Sequence, residues 1–273
     1  MLNLLRSDLS RLFRLKSLLI FALLTVWLDL QYTLSCDAPG FDIFENLSDV
    51  SIGLIIEGAF IIGYLIGSDY AHGTIRNKLI AGYGRGKIFF SEWLTSFICM
   101  LLLTVESYGL IFAMGFARGG VYLADADSTM IFMGLTLLYI LVCTAFFTAL
   151  YMTVFSQNTA MPVAVLIVLL GLIFTAIAES DLSSPKYIEP EEAATMAAYG
   201  LEVERDAEDP EKYLNPSYTE GDSFDFLFDT ISPVSHIIVF STDRLPKNVA
   251  AMSAEIVLFT VGGLLIFIRR DLR

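Results

Sequence analysis

The sequence predicts an all-α polytopic membrane protein with six transmembrane helices, and three observations predict it. Hydrophobic residues make up 55% of the 273 positions, and the mean hydropathy is +0.65. The apolar residues fall in blocks long enough to cross a bilayer, which takes about 20 residues at 1.5 Å rise each. The blocks lack the alternation of a barrel strand, so helices must satisfy the backbone. The charge is also lopsided. The net charge is -13, yet Arg6, Arg11, Arg14, Lys16, Arg76, Lys78, Arg85, Lys87, Arg269, Arg270 and Arg273 gather in three places: the N-terminus, one internal loop and the C-terminus. Most of the acid lies between Glu179 and Asp243. By the positive-inside rule the basic places face the cytoplasm. The expected location is the plasma (inner) membrane, multi-pass, with both termini cytoplasmic. The lipid bilayer accounts for the cations, and no nucleic-acid partner is needed.

Residues 1–17 read as an amphipathic interfacial helix, with Leu2, Leu5, Leu9, Leu12 and Phe13 on one side and Arg6, Ser10, Arg11 and Arg14 on the other. A secretory signal is the competing reading; the long basic lead, Asp29 and Thr33 argue against it. Residues 18–178 hold spans one to five. The first runs from Leu18 to Leu34, followed by a short acidic outer loop, Cys36 to Ser51, containing an Asn46-Leu47-Ser48 sequon pattern. The second, Ile52 to Ser68, carries Gly53, Gly58, Ala59, Gly63 and Gly67, small residues that let helices approach closely. A basic loop, 69–87, leads to the third span, Ile88 to Phe116. The fourth runs from Met130 to Phe155, and Ser156 to Ala160 makes a tight inner turn. The fifth starts near Pro162 and ends by Ala178.

Residues 179–248 form an extracytoplasmic acidic segment, punctuated by Pro185, Pro190, Pro210 and Pro216. Residues 190–199 read as a short helix with acids at its start. Within 224–240 the apolar FDFLFDTISPVSHIIVF is interrupted by Asp225, Asp229 and Pro233, and reads as a re-entrant helical part. Residues 249–273 hold the sixth span, Val249 to Ile268, and a basic cytoplasmic end. No internal repeat joins the two halves, which argues against an inverted-repeat transporter.

No catalytic constellation is present. Gly82-Tyr83-Gly84-Arg85-Gly86-Lys87-Ile88 is not a phosphate loop, because Ala81 stands where the first Gly belongs and Ile88 where Ser or Thr belongs. The two histidines, His72 and His236, fall on opposite predicted sides, and Cys36, Cys99 and Cys143 read as apolar filler, so no metal site is expected. There is no GxSxG elbow. The chain is thus not expected to be an enzyme by itself, and no cofactor is expected in it. Glu57 and Glu106 are acids at membrane depth, where an ionisable residue is costly and faces a cavity or a partner. They are the candidates for a translocation path; a hydrogen-bonded helix contact is the plainer alternative. Glu92, Glu255 and Asp29 read as interfacial or solvated.

The loop 69–87 is the remaining feature. Asp69-Tyr70-Ala71-His72-Gly73-Thr74-Ile75-Arg76-Asn77, then Gly82 and Arg85-Gly86-Lys87, resembles the first cytoplasmic loop of permease subunits of type-2 ABC exporters, in which an acidic-aromatic pair precedes Gly-Thr-aliphatic-basic. Two positions depart from the pattern: Asp69 stands where Glu is commoner, and Glu92 where a basic residue is often found. The resemblance implies a coupling helix seated in a cleft of a separate ABC ATPase subunit, present in two copies and carrying ATP and Mg. It also implies a second permease subunit, identical or related. The contact residues so implied are Asp69, Tyr70, His72, Gly73, Thr74, Ile75, Arg76, Asn77, Leu79 and Arg85. Local chemistry fits: Asp69 and Thr74 can cap a short helix, Gly73 permits the turn, and Ile75 and Leu79 can form an apolar knob with Arg76 and Lys78 free for acids.

The function expected is therefore the membrane subunit of an ATP-driven exporter, with an amphipathic or cationic peptide as the first guess for cargo. The alternatives are an ATP-independent transporter or channel that uses Glu57 and Glu106, and a non-transporting immunity or sensor subunit.

Overall fold

The computed structural model describes residues 2–12, 16–35, 42–153, 162–170, 173, 187–188, 213–214 and 245–269. The chain divides into two compact units, one of residues 1–169 with 233–273 and the other of residues 170–232. In the second unit the described residues form one antiparallel pair, Tyr187–Ile188 with Tyr213–Leu214. The re-entrant part 224–240, the inner turn 156–160 and the helix 190–199 lie outside the described residues, as does the fifth span beyond 173.

The first unit is helical: α1 (Leu2–Leu12), α2 (Lys16–Ser35), α3 (Ile43–Ala71), α4 (Thr74–Ile80), α5 (Arg85–Ala117), α6 (Ala126–Thr153), α7 (residues 162–170) and α8 (Leu245–Arg269). Among the described residues, four stretches are long and apolar enough to cross a membrane: Gly53–Ala71, Arg85–Ala117, Ala126–Thr153 and Asn248–Arg269. They correspond to the expected second, third, fourth and sixth spans. The expected first span is helical, but its apolar stretch, Leu19–Ser35, is shorter than the other four. Six spans are thus an expectation that the described residues meet only in part.

The outer loop 36–51 is corrected. Helix α3 begins at Ile43, because the Asp42 side chain accepts from the Phe44 amide at 2.9 Å and caps the helix. Ile43, Leu47, Val50 and Leu54 then recur at helical spacing and are all buried, so packing draws the segment into the bundle. Asn46 of the sequon is buried too, with its Nδ2 donating to the Asp42 carbonyl at 2.6 Å.

Helix α5 packs on α1, α2, α3, α6 and α8, and α8 lies along α6. Small residues set the closest approaches. A Cβ added to Gly263 on α8 would fall 2.5 Å from the Ala149 Cβ on α6. A Cβ on Gly63 of α3 would fall 2.6 Å from the Tyr151 ring, whose hydroxyl donates to the Ala59 carbonyl at 2.5 Å. At the end of the bundle away from α4, the Ile43 amide donates to the Val121 carbonyl at 3.0 Å, and Arg118 donates to the Thr33 carbonyl. Gly119, at φ 79°, turns the chain between α5 and α6. The start of α6 is fixed by Asp125, whose carbonyl accepts from the Thr129 amide. The Ser128 hydroxyl holds the Asp125 carboxyl below its usual range.

Candidate coupling site at the turn between α3 and α5

Helix α3 ends at Ala71, and His72 and Gly73 reverse the chain into α4. Gly73 has φ 65° and ψ 17°, a left-handed conformation that costs a side-chain-bearing residue about 1 kcal/mol or more. The Gly73 amide donates to the Tyr70 carbonyl at 3.1 Å, and its carbonyl accepts from the Asn77 amide at 2.9 Å. Helix α4 is closed by the Ala81 amide on the Asn77 carbonyl, and Gly82, at φ 85°, leads out toward α5. The expected side-chain caps are corrected. Gly73 occupies the N-cap and no side chain caps α4; Asp69 lies inside α3 and points elsewhere.

That elsewhere is a buried charge cluster. The Lys78 Nζ lies 2.8 Å from Asp8 Oδ1, 3.2 Å from Asp69 Oδ2 and 2.5 Å from Glu92 Oε1. An ammonium has three donors, and here each finds a carboxylate from a different helix. Arg11 of α1 pairs with Asp69 through Nη1. The Ser91 hydroxyl donates to Asp8 Oδ2 at 2.6 Å. Asp8, Asp69, Lys78 and Glu92 are all buried. Burial by itself lowers an ammonium pKa, but Glu92, Asp69 and Asp8 outweigh it and hold Lys78 above the ordinary lysine value. The three carboxylates lie close enough together to chelate a cation, and Lys78 supplies that cation from the chain itself.

This corrects the reading of α4 as a helix whose knob is Ile75 and Leu79. Ile75 is 2% exposed and Lys78 7%; both face the chain's own interior. The outward face instead carries Arg76, Asn77 and Ile80, with Leu79 half-buried and Ile80 75% exposed. Exposed His72, its Nδ1 2.8 Å from the Ser68 carbonyl, flanks this face, and Thr74 is half-buried. Tyr70 and Arg85 make internal contacts. Tyr70 donates to the Met152 carbonyl, and Arg85 Nη1 to the Ile268 carbonyl near the end of α8.

The membrane acids converge. The Thr25 hydroxyl of α2 lies 3.3 Å from both Glu106 oxygens. Glu57 is within electrostatic reach of Glu106 and of Asp29, one turn beyond Thr25. Asp29 is buried, and so is Glu92, which corrects their reading as interfacial; Glu255 is buried against α6 near Cys143. Among the described residues, Asp29 Oδ2 and Glu57 Oε2 have no hydrogen-bond partner. Sequence reasoning missed Asp8 and did not group Asp29 with Glu57 and Glu106. The available signal for Asp8 was that it is the only acid in the basic run 1–17. An acid there needs a reason other than membrane topology.

A helical bundle with four stretches long and apolar enough to cross a membrane, and the short helix α4 between two of them, defines a membrane protein with several spans. Residues 34–272 match the ABC-2 family transporter proteins, and the chain belongs to that family. It is therefore a multi-pass ABC-2 permease, the transmembrane subunit that is typically non-catalytic, and membership implies an ABC ATPase as partner. No curated protein matches the chain.

Proposed function

We propose that this chain is the membrane subunit of an exporter that moves its cargo outward, driven by ATP hydrolysed on separate ATPase subunits. Two permeases, identical or related, bind two ATPases that carry the ATP and Mg. Both termini face the cytoplasm in the plasma (inner) membrane. The observation that carries this reading is the outward face of α4, with Arg76, Asn77 and Ile80 presented by a helix whose opposite face is fastened to three others. An apolar tip beside a cation suits a groove rimmed by acids. ATP-driven closure of the ATPases would push on this face and alternate access to a path between the spans.

For cargo we favour an amphipathic or cationic peptide. The support is Glu57 and Glu106, joined by Asp29, at a depth where carboxylates without cations are costly.

The test is co-purification with an ATPase assay, using the neighbouring ATPase chains co-expressed. Wild type brings down an ATPase, and an Arg76→Glu, Ile80→Asp variant loses it while remaining folded. If wild type purifies alone under gentle extraction, this reading fails, and the ATP-independent use of Glu57 and Glu106 takes its place.

A further inference from the structure

The cluster around Lys78 joins elements that sequence reading keeps apart. Asp8 belongs to α1, Asp69 to α3, Lys78 to α4, and Glu92 and Ser91 to α5. Helix α1 packs on α5, and its Leu4, Asp8 and Leu12 form one stripe at i, i+4 and i+8, all buried. Its other residues Asn3, Arg6, Ser7 and Ser10 are exposed. An amphipathic helix that only lay on the membrane would have no use for a buried aspartate in the middle of its protein-facing stripe. Three acids face two cations in the cluster, and each Lys78 donor has its own acceptor. Removing one partner of such a set leaves charges buried without compensation, which costs far more than an exposed pair is worth.

We propose that Lys78 is the positioning residue that locks α1 to α4, so that α1 moves with the coupling helix as part of the drive instead of serving as a passive membrane anchor. A push on the outward face of α4 reaches α1 through Asp8 and Arg11, and α5 through Glu92. The surface helix and the two spans flanking α4 then turn as one body. The drive part of this inference rests on the exporter reading above; the lock itself does not.

Hydrogen exchange on the full-length permease, followed by peptide, tests the two parts separately. In the permease alone, Lys78→Met speeds exchange in α1 and in α4 together by about tenfold or more, the factor that loss of a charge-assisted hydrogen bond implies. Peptides of α6 and α8 keep their wild-type rates. Lys78→Arg, which keeps a cation with several donors, restores most of the protection in both. Unchanged exchange in α1 would overturn the lock, whether or not any ATPase binds. A global rise in exchange would show a merely structural role and would also overturn it. Where Lys78→Met does not fold, the double variant Asp8→Asn, Arg11→Gln severs the α1 arm and speeds exchange in α1, and unchanged exchange there overturns the lock.

In the complex with the ATPase, trapping with ATP and vanadate changes exchange in α4 and α1 together in wild type. In the double variant Asp8→Asn, Arg11→Gln the α4 response persists and the α1 response is lost. An α1 response that survives the double variant would overturn the drive role while leaving the exporter reading intact. Failure to recover any ATPase would sink the exporter reading and leave the lock decided by the first arm.

Discussion

Tyr70 donates its hydroxyl to the main-chain carbonyl of Met152 at 3.1 Å, tying the last turn of α3 to the last turn of α6. Tyr70 belongs to the acidic-aromatic pair that the family resemblance assigned to the ATPase contact. Its geometry makes it a strut inside the permease. Tyr70→Phe keeps the ring and drops the bond, so it lowers stability by about 0.5–1.5 kcal/mol, seen in detergent melts. ATPase recovery stays at wild-type level. A variant as stable as wild type that no longer binds the ATPase would return Tyr70 to the contact surface.

The two isoleucines of α4 separate burial from contact. Ile75→Asp places a carboxylate at a position 2% exposed and costs several kcal/mol. The loop loses its fold, and limited proteolysis near residues 71–84 shows it. Ile80→Asp changes a position 75% exposed, leaves the melting temperature within a degree or two of wild type, and abolishes ATPase recovery. Equal effects of the two substitutions on the melt would contradict the orientation of α4.

Gly63 and Gly263 are predicted to be intolerant where Gly109 and Gly134 are not. Gly263→Ala sets a methyl against the Ala149 main chain, 2.9 Å from its Cα, and Gly63→Ala drives Tyr151 off the Ala59 carbonyl. Each costs about 1–3 kcal/mol. Gly109 and Gly134 have nothing within 4 Å of an added Cβ. Alanine there is neutral or stabilising, by up to about 1 kcal/mol through helix propensity. Thermal melts of the four variants order them; a Gly263→Ala protein as stable as Gly109→Ala would refute the close contact.

Glu57→Gln is expected to raise the melting temperature. Glu57 Oε2 is buried without a partner and shares its surroundings with Asp29 and Glu106, so removing a negative charge relieves more than it loses. A lower melting temperature would show that the carboxylate holds a cation in the resting protein.

The apolar blocks and the basic loop were legible because they follow from bulk chemistry. Hydrocarbon thickness sets block length, and topology sets the sign of loop charge. The turn at Gly73 was legible because few residues besides glycine accept its dihedrals. What stayed hidden depended on rotation and on distance along the chain. Which face of α4 looks inward is decided by Asp8 and Glu92, and nothing in the spacing of Thr74 to Ile80 announces them. Helix α3 outran its expected start because Asp42 caps it and Ile43, Leu47 and Val50 find a surface to pack on, while a hydropathy profile sees only the acids between them.

The seam between Gly263 and Ala149 bears on how the protein is made. Helix α8 leaves the ribosome after α6, and the long stretch from Thr153 to Leu245 must emerge before the two can meet. Until then lipid tails can cover the α6 face around Ala149, and tails are as apolar as the helix that replaces them. The newborn chain can therefore wait in the bilayer without clumping, and the arrival of α8 is a late lock on the assembly.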